Sequence, residues 1–454
     1  MEKSDNIDLL IKFMRDITWD RLDTSVQIQA QKCFLDLAGV LCAGAKNNSS
    51  KRMAEYVNEN YRGEKCTILA TGMKTSLIGA ALANGMAANA LDMDDGYSLL
   101  RGHPGSGFIG ALLAAAELAN CTYGEFLTAL VISYEVSIRQ GYAIRDYYKW
   151  DHSSGSYSSF GTAAGVGKLL RLNNDQMKIA LGISDFIAPL NPAKRSCYVP
   201  SMNKDGIYYG QYVGAQAVMM ALKGITGKNP VIADDEYRIY INSLGEKYYI
   251  FDLYVKFYSC CRWAHSPIRA VKTLMEENNI ESDDIEQVNI YSFGNAGTLY
   301  KCAPQNEDEA QYNIKYPIAA QIVFGDCGPL ESSTTKMLDK RIIQMIDKIE
   351  FYHESEYDKV FPAQRLSRAE IILNNGKTFI SKACEPKGDR NAEVLIDDIK
   401  DKICKINTIY AEKEYVEALI DVIMETSANE PFERVMVKIK ALAARNIHPE
   451  IKFI

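Results

Sequence analysis

The chain has 454 residues, of which 47% are hydrophobic and 24% are charged, and its formal net charge is −7. Its composition is that of a globular protein, and its length suits one large or two ordinary domains. The negative charge, the acidic N-terminus and the lack of an uncharged run of about 20 apolar residues predict a cytoplasmic protein that binds neither nucleic acid nor a membrane.

The first 270 or so residues are predicted to be helical. Apolar residues recur at helical spacing, with many Ala and Gly, in residues 28–45, 75–91, 107–118, 123–144, 160–170, 175–186 and 207–222. Several of these segments are apolar on nearly all sides, which is typical of central helices in a large core. Glycine destabilises a helix interior by about 1 kcal/mol, so its frequency here predicts close approach of helix backbones.

The composition changes from about residue 277, where Ala and Gly become rarer. A strand is predicted at residues 285–293, and a hairpin at residues 369–373 and 377–381, because alternating apolar runs flank Asn375 and Gly376. Amphipathic helices are predicted at residues 336–349, 392–404 and 415–444.

The sequence therefore predicts a mainly α fold with two domains. The larger is an all-helical domain over residues 1–268, to which residues 410–454 return. The smaller is an α+β lid domain over residues 269–409. The change in composition near residue 270 is the observation behind this division.

The cysteines are predicted to be reduced thiols. There are eleven, an odd number, and they are scattered singly apart from Cys260 and Cys261. No C-x-x-C, zinc-ligand or H-E-x-x-H spacing occurs. We therefore expect a protein without a metal ion or another cofactor.

A cluster of acids stands where two apolar helices are predicted to break. Asp92, Asp94 and Asp95 fall within four residues, and His103 follows on a Gly-His-Pro-Gly turn. Carboxylates crowded in this way repel one another unless a positive group joins them. An imidazole in an apolar setting can act as a general acid or base near neutral pH. The segment predicts a catalytic site; the structural alternative is a set of helix-capping acids with a turn histidine.

Three further residues are candidates for catalysis. His152 precedes an apolar helix among serines, where backbone N–H groups can bind carboxylates or phosphates, although N-capping would explain the same pattern. Lys204 directly precedes another helix and could hold a substrate carboxylate, or be a surface lysine. Tyr316 opens an apolar helix and could offer its phenol to a site.

Residues 256–265 concentrate polar functional groups beside aromatic rings, which is typical of a cleft wall. The candidate substrate-binding residues there are Lys256, Cys261, Arg262 and His265. A nucleophilic Cys261 paired with His265 is conceivable. A buried thiol next to an aromatic ring is the simpler interpretation.

Taken together, these segments resemble the MmgE/PrpD family, which includes metal-independent 2-methylcitrate dehydratases, cis-aconitate decarboxylases and iminodisuccinate epimerases. The resemblance extends from the N-terminal helices to about residue 330. It is carried by the order and spacing of the motifs around His103, His152, Lys204, Lys256 and Tyr316. It implies a large all-α domain with a smaller α+β lid, usually as a homodimer.

The resemblance also implies which residues form the active site. The positions that match are Asp92, His103, His152, Lys204 and Tyr316, with Lys256 and Cys261 nearby. The segment at residues 96–102 differs from the decarboxylase and dehydratase patterns, and the Lys256 segment lacks the proline that usually follows its aromatic residue. These departures leave the substrate open.

The predicted function is that of a metal-independent acid/base enzyme acting on a small di- or tricarboxylate. A lyase would form a carbanion next to a carboxylate, and an epimerase of an amino- or imino-dicarboxylate is the alternative. His103 and His152 would carry the acid and base roles, with Asp92 orienting an imidazole. Lys204, Lys256 and Arg262 would hold carboxylates, and Tyr316 would donate a proton or hydrogen bond.

Two hypotheses of another class stay open at the level of sequence. The acidic cluster resembles those of Mg²⁺-diphosphate enzymes, but such sites usually need a second acidic motif, which the sequence lacks. A non-catalytic helical binding protein on the same fold is the other hypothesis.

Overall fold

The computed structural model describes residues 5–390 and 392–451. Within them it contains twenty α-helices and eight short strands, so the prediction of a mainly α fold is confirmed. No helix among these residues combines the length and the apolar character that crossing a bilayer requires.

The regular elements before residue 262 are nearly all helices. Its helices are α1 (Asn6–Asp16), α2 (Thr24–Gly44), α3 (Asn48–Asn60), α4 (Leu77–Asn89), α5 (Ile109–Ala119), α6 (Tyr123–Tyr148), α7 (Ser154–Leu169), α8 (Asn174–Phe186), α9 (Arg195–Tyr198), α10 (Ile207–Leu222) and α11 (Arg238–Ile241). Two antiparallel pairs of two-residue strands join loops: β1 (Cys66–Thr67) with β2 (Lys74–Thr75), and β3 (Gly96–Tyr97) with β4 (Leu253–Tyr254). All seven predicted helical segments overlap observed helices.

The predicted close approach of helix backbones is present between α7 and α10. A Cβ atom added to Gly210 would lie 2.5 Å from the carbonyl oxygen of Gly155, which is closer than real side chains tolerate. The absence of a side chain at Gly210 therefore lets the two helices pack directly on each other.

The rest of the chain mixes strands and helices. Its elements are α12 (Arg262–Asn278), β5 (Ile285–Ser292), α13 (Glu307–Gln311), α14 (Lys315–Phe324), α15 (Thr334–Met337), α16 (Lys340–Asp347), β6 (Ile349–His353), α17 (Ser355–Asp358), β7 (Ser367–Leu373), β8 (Thr378–Ile380), α18 (Ile396–Asn407), α19 (Lys413–Glu425) and α20 (Glu433–Ala444).

A four-stranded sheet forms in this part of the chain, in the order β6-β5-β7-β8. The predicted strand at β5 and the predicted hairpin of β7 and β8 are present, with Ile372 opposite Thr378. Strand β6, which pairs in parallel with β5, was missed by the sequence reasoning. Only Ile349 of β6 is buried, so this edge strand lacks the alternating pattern that identifies a strand.

Buried side chains form two large clusters. The first contains the centres of α2, α5, α6 and α7, together with apolar residues of α18, α19 and α20, which pack on α2. The second lies between the four-stranded sheet and helices α12, α14 and α16. That residues 269–409 form a lid domain, with limits at residues 268 and 409, stays a prediction.

Candidate active site

The acidic residues and His103 belong to one loop between α4 and α5, which we call the acidic loop (residues 91–105). The loop folds back on itself, because the Tyr97 N–H donates to the carbonyl of Gly102 at 2.8 Å. Asp92 and Arg101 adopt left-handed backbone conformations, with φ of 50° and 56°. Such conformations are uncommon outside glycine, and in a tight loop they set where the flanking side chains point.

The imidazole of His103 is held by a carboxylate. Its Nδ1 lies 3.0 Å from Oδ2 of Asp94. Asp94 is fully buried, and its other oxygen, Oδ1, accepts a hydrogen bond from Asn89 at 2.9 Å. This contact fits a tautomer with the proton on Nδ1, or an imidazolium. The second nitrogen, Nε2, is then the one available for proton transfer.

Charges around His103 favour its protonated form. Burial and the ammonium of Lys256 oppose charging, but the carboxylates of Asp94 and Asp92 outweigh them, so the pKa of His103 is raised. Burial likewise opposes ionisation of Asp94, yet His103 holds the pKa of that carboxyl well below its usual range. The arrangement therefore favours the imidazolium, the form of His103 that can donate a proton.

A buried ion pair closes the base of the loop. Lys256 Nζ lies 2.8 Å from Asp92 Oδ1 and donates to the Asp92 carbonyl at 2.9 Å, and both side chains are fully buried. Burial would lower the pKa of Lys256, but Asp92 raises it above its usual value. The same Oδ1 lies 3.8 Å from His103 Nε2, so Asp92 connects the lysine to the imidazole.

Asp205 completes the set of acids around His103. Its Oδ2 lies 4.0 Å from Nε2 and accepts from Ser154 at 3.2 Å, while Oδ1 accepts from Ser196 at 2.5 Å. Burial raises the pKa of Asp205, although the charge of His103 partly offsets this. Asp205 is therefore a second titratable group beside the imidazole.

Asp95 has a different environment from Asp92 and Asp94. It accepts hydrogen bonds from the Tyr134 hydroxyl and from the N–H of Gly105, on the side of the acidic loop that faces the helical core. Burial raises the pKa of Asp95 to about 7. These hydrogen bonds tie the loop to α6 and to its own end at Gly105.

A small cavity opens beside His103. Its wall includes Asp205 and Tyr312, the cysteines Cys197 and Cys261, and the arginines Arg101, Arg262 and Arg365. The lining comes from both the helical part of the chain and the part that carries the sheet. A larger groove lies elsewhere, between α1 and the start of α8, but it contains none of the residues of the acidic loop.

Two of the predicted catalytic residues, Lys204 and Tyr316, have partners away from the cavity. The Lys204 ammonium donates to the carbonyls of Asn89 and Ala90 at 2.8 and 2.7 Å, which ties it to the end of α4. The Tyr316 hydroxyl donates to the carbonyl of Glu331 at 2.6 Å and is fully buried. Neither side chain lines the cavity.

His152 stands beside the cavity rather than on its wall. Its ring packs on Trp150 with centroids 3.5 Å apart, it is 4% exposed, and neither nitrogen has a hydrogen-bond partner. Burial lowers the pKa of His152 to about 4, so its imidazole is neutral near pH 7. The preceding residue, Asp151, does line the cavity.

The predicted substrate-binding residues divide in a similar way. Cys261 and Arg262 line the cavity, whereas Lys256 does not and is connected to His103 through Asp92. His265 is buried behind Arg262, and its Nε2 contacts the carbonyl of Cys260 at 3.1 Å. Burial and the charge of Arg262 hold the pKa of His265 well below its usual value, which argues against a Cys–His nucleophilic pair.

The site contains a possible set of metal ligands. Ligand atoms of Asp92, Asp94 and His103 lie within 4.8 Å of one another. Their carboxylate and imidazole groups are of types that bind divalent cations. However, the ammonium of Lys256 already provides a positive charge 2.8 Å from Asp92. A cation here would have to compete with that lysine.

Sequence reasoning missed several cavity residues, among them Asp205, Tyr312, Arg101 and Arg365. The first two lie within four residues of a predicted site residue, so the segments were found but the side chain was not. Arg101 lies inside the acidic loop, in the segment at residues 96–102 that differs from the decarboxylase and dehydratase patterns. Nothing in the local sequence marks Arg365.

Two family models together match most of the chain. Residues 8–248 match the MmgE/PrpD N-terminal domain, and residues 258–426 match the MmgE/PrpD C-terminal domain.

Curated relatives agree with this result. A cis-aconitate decarboxylase-like protein, oryM, of Aspergillus oryzae (strain ATCC 42149 / RIB 40) is 25% identical over 433 residues, covering 84% of this chain and 86% of the relative. A cis-aconitate decarboxylase of Aspergillus terreus (strain NIH 2624 / FGSC A1156) is 23% identical over 417 residues, covering 82% and 83%.

Proposed function

Because the chain belongs to the MmgE/PrpD family, we propose that it is a lyase that acts on a small di- or tricarboxylate without a metal ion. The observation that carries the proposal is the environment of His103. Its imidazole lines a cavity rich in arginine, and the buried carboxylate of Asp94 lies 3.0 Å from its Nδ1. The names of the relatives, which are decarboxylases of cis-aconitate or similar to them, support the same class of reaction.

The chemistry required is proton transfer next to a carboxylate. When CO2 or hydroxide leaves such a substrate, negative charge develops on the adjacent carbon or on its leaving group. A positioned acid that delivers a proton there accelerates the reaction by about 10²–10⁴-fold. His103, whose raised pKa favours the imidazolium form, would carry that proton and presents Nε2 for its transfer.

Other residues of the site support this transfer. Asp94 fixes the ring of His103, and the Asp92–Lys256 pair sets the charge behind it. Asp205, whose pKa burial raises, can accept or return a proton beside the same nitrogen. Cationic side chains on the cavity wall stabilise the developing enolate-like charge, for which a single donor contributes about 10²–10³ in rate.

The reaction can be identified by incubating the protein with citrate, 2-methylcitrate, cis-aconitate or iminodisuccinate in deuterated water and following each by NMR. CO2 release identifies a decarboxylase, and formation or loss of a double bond without CO2 identifies a dehydratase. Deuterium incorporation without elimination identifies the epimerase alternative. No change in any of the four would favour the binding-protein hypothesis.

Two controls belong to this experiment. His103→Ala should lower kcat by at least about 10²-fold, and unchanged turnover would remove His103 from the mechanism. Dialysis against EDTA should leave kcat unchanged, because Lys256 supplies the positive charge at Asp92. Loss of activity that Mg²⁺ restores would instead assign a metal to Asp92, Asp94 and His103.

A further inference from the structure

Three arginines converge on the cavity that contains His103; we call them the arginine cluster (Arg101, Arg262 and Arg365). They come from the acidic loop, from the first turn of α12 and from the segment that precedes β7. The guanidinium carbons of Arg262 and Arg365 lie 4.5 and 5.2 Å from the ring centroid of Tyr254. Three segments distant in sequence thus bring like charges to one small space.

Hydrogen bonds within the protein leave each guanidinium incompletely paired. Arg365 Nη1 donates to the hydroxyl of Ser98 at 2.9 Å, and Arg262 Nη1 donates to the carbonyl of Lys387 at 3.1 Å. In Arg101, Arg262 and Arg365 alike, the buried Nε has no hydrogen-bond acceptor. An unsatisfied buried donor is destabilising, and a bound carboxylate would satisfy it.

The acids nearby do not balance the arginine cluster. Nη1 of Arg101 forms an ion pair with Oδ2 of Asp151 at 2.6 Å, and Nη2 of Arg262 lies 3.5 Å from Oδ2 of Asp389. Arg365 is 1% exposed, and no carboxylate of the residues that the structure describes forms an ion pair with it. A buried guanidinium without a counter-ion, next to two other cations, is costly unless an anion joins it.

We infer that the arginine cluster binds a carboxylate of the substrate that takes no part in the reaction, and that Arg365 and Arg101 thereby select substrates with an additional carboxylate. The inference rests on the proposed function only in taking this cavity as the substrate site. The planar guanidinium suits this task, since its N–H groups match the two oxygens of a carboxylate.

Two inert ligands test the inference directly. Tricarballylate and glutarate share a five-carbon dicarboxylate chain, and tricarballylate adds one central carboxylate. Calorimetry should show tighter binding of tricarballylate to the wild-type protein. Arg365→Gln should weaken the binding of tricarballylate by about tenfold or more, which corresponds to one lost charge-assisted hydrogen bond. The same substitution should change the affinity for glutarate less.

Arg368→Gln provides the matched control. Arg368 lies three residues further along the chain, on β7, where its guanidinium stacks on Tyr291 at 3.5 Å and does not line the cavity. This variant should bind tricarballylate as the wild type does. The inference is overturned if the wild type binds both ligands equally, or if Arg365→Gln and Arg368→Gln weaken tricarballylate to the same extent.

A second variant covers the case in which Arg365→Gln does not fold. Arg101 is partly exposed, with 23% of its side chain accessible, so Arg101→Gln leaves the buried core intact. It too should bind tricarballylate more weakly, whereas wild-type affinity in this variant would exclude Arg101 from the cluster's function.

Binding and turnover separate the two proposals. If the wild type binds tricarballylate through Arg365 yet converts none of the four substrates, the arginine cluster stands and the lyase proposal fails. If the wild type is an active lyase but binds tricarballylate and glutarate equally well, the lyase proposal stands and the proposed role of the arginine cluster is refuted. With an active enzyme, Arg365→Gln should raise KM more than it lowers kcat.

Discussion

The contact between Asp94 and His103 gives the sharpest test of the proposed mechanism. Asp94→Asn keeps the shape of the side chain and can still accept a hydrogen bond through its amide oxygen, so the loop should fold. It removes the buried negative charge 3.0 Å from Nδ1. Because Asp94 helps to raise the pKa of His103, the substitution should lower that pKa.

The size of the effect follows from the kind of interaction lost. A hydrogen bond to a charged group contributes about 1.5–3 kcal/mol, and about 1.4 kcal/mol corresponds to a factor of ten. If the whole of this interaction energy stabilises the transition state, its loss should lower kcat/KM roughly 10- to 150-fold. Since the proposed mechanism uses protonated His103 as the acid, the high-pH limb of the rate profile should also move to lower pH.

The assay is a pH profile of kcat/KM on whichever of the four substrates the wild type converts. Asp95→Asn is the matched control, because Asp95 belongs to the same loop but bonds to Tyr134 and Gly105 on its far side. This control should keep the position of the high-pH limb. An unshifted limb in Asp94→Asn, or an equal loss in both variants, would refute the acid role of His103.

Three further predictions concern the surroundings of the site. Lys256→Met should lower the free energy of unfolding in urea by about 3–5 kcal/mol, because it leaves Asp92 buried without its cation; adding Asp92→Asn should restore part of the loss, and a purely additive double variant would contradict this pairing. Tyr312→Phe should lower kcat/KM because Tyr312 lines the cavity, whereas Tyr316→Phe should only lower the free energy of unfolding by about 1 kcal/mol, through loss of its bond to Glu331. A fall in kcat/KM in Tyr316→Phe but not in Tyr312→Phe would place Tyr316 in the site instead. Burial raises the pKa of Asp95 to about 7 from an ordinary value of 3.8, so the folded protein holds a proton there that the unfolded chain has lost. The unfolding free energy of the wild type, relative to that of Asp95→Asn, should therefore fall as the pH rises from about 3.8 to about 7. A difference in unfolding free energy that is constant from pH 5 to 8 would exclude this.

The features that sequence reasoning found are those with a local pattern. The buried helices show helical periodicity, and the hairpin shows alternation around Asn375 and Gly376. The acidic loop was found because three acids and His103 interrupt apolar residues, and a buried polar group needs a partner. Each of these signals spans fewer than about 25 residues.

The differences between the predicted side chains and those that line the cavity have another cause. Lys204 has a positive φ of 40° and is followed by Asp205 and the left-handed Gly206, so the chain turns sharply there. The turn sends the lysine to the end of α4 and the aspartate to His103. Sequence shows that a polar pair precedes a helix, but it does not show which member faces the cavity.

The position of the acidic loop depends on contacts that no local pattern encodes. Ser259 donates to the carbonyl of Leu91 at 2.6 Å, and Lys402 donates to that of Met93 at 2.7 Å; these partners are separated by 168 and 309 residues. Arg365 reaches Ser98 across 267 residues.

The anchors of the acidic loop come from both parts of the chain. The acidic loop leaves α4 in the helical core, but the groups that fix its backbone come from segments near α12, β7 and α18. Closing loops of such length costs chain entropy that only the packed cores can offset. The geometry at His103 is therefore set jointly by both parts of the chain, and a shift between them would alter the cavity and the position of its proton donor together.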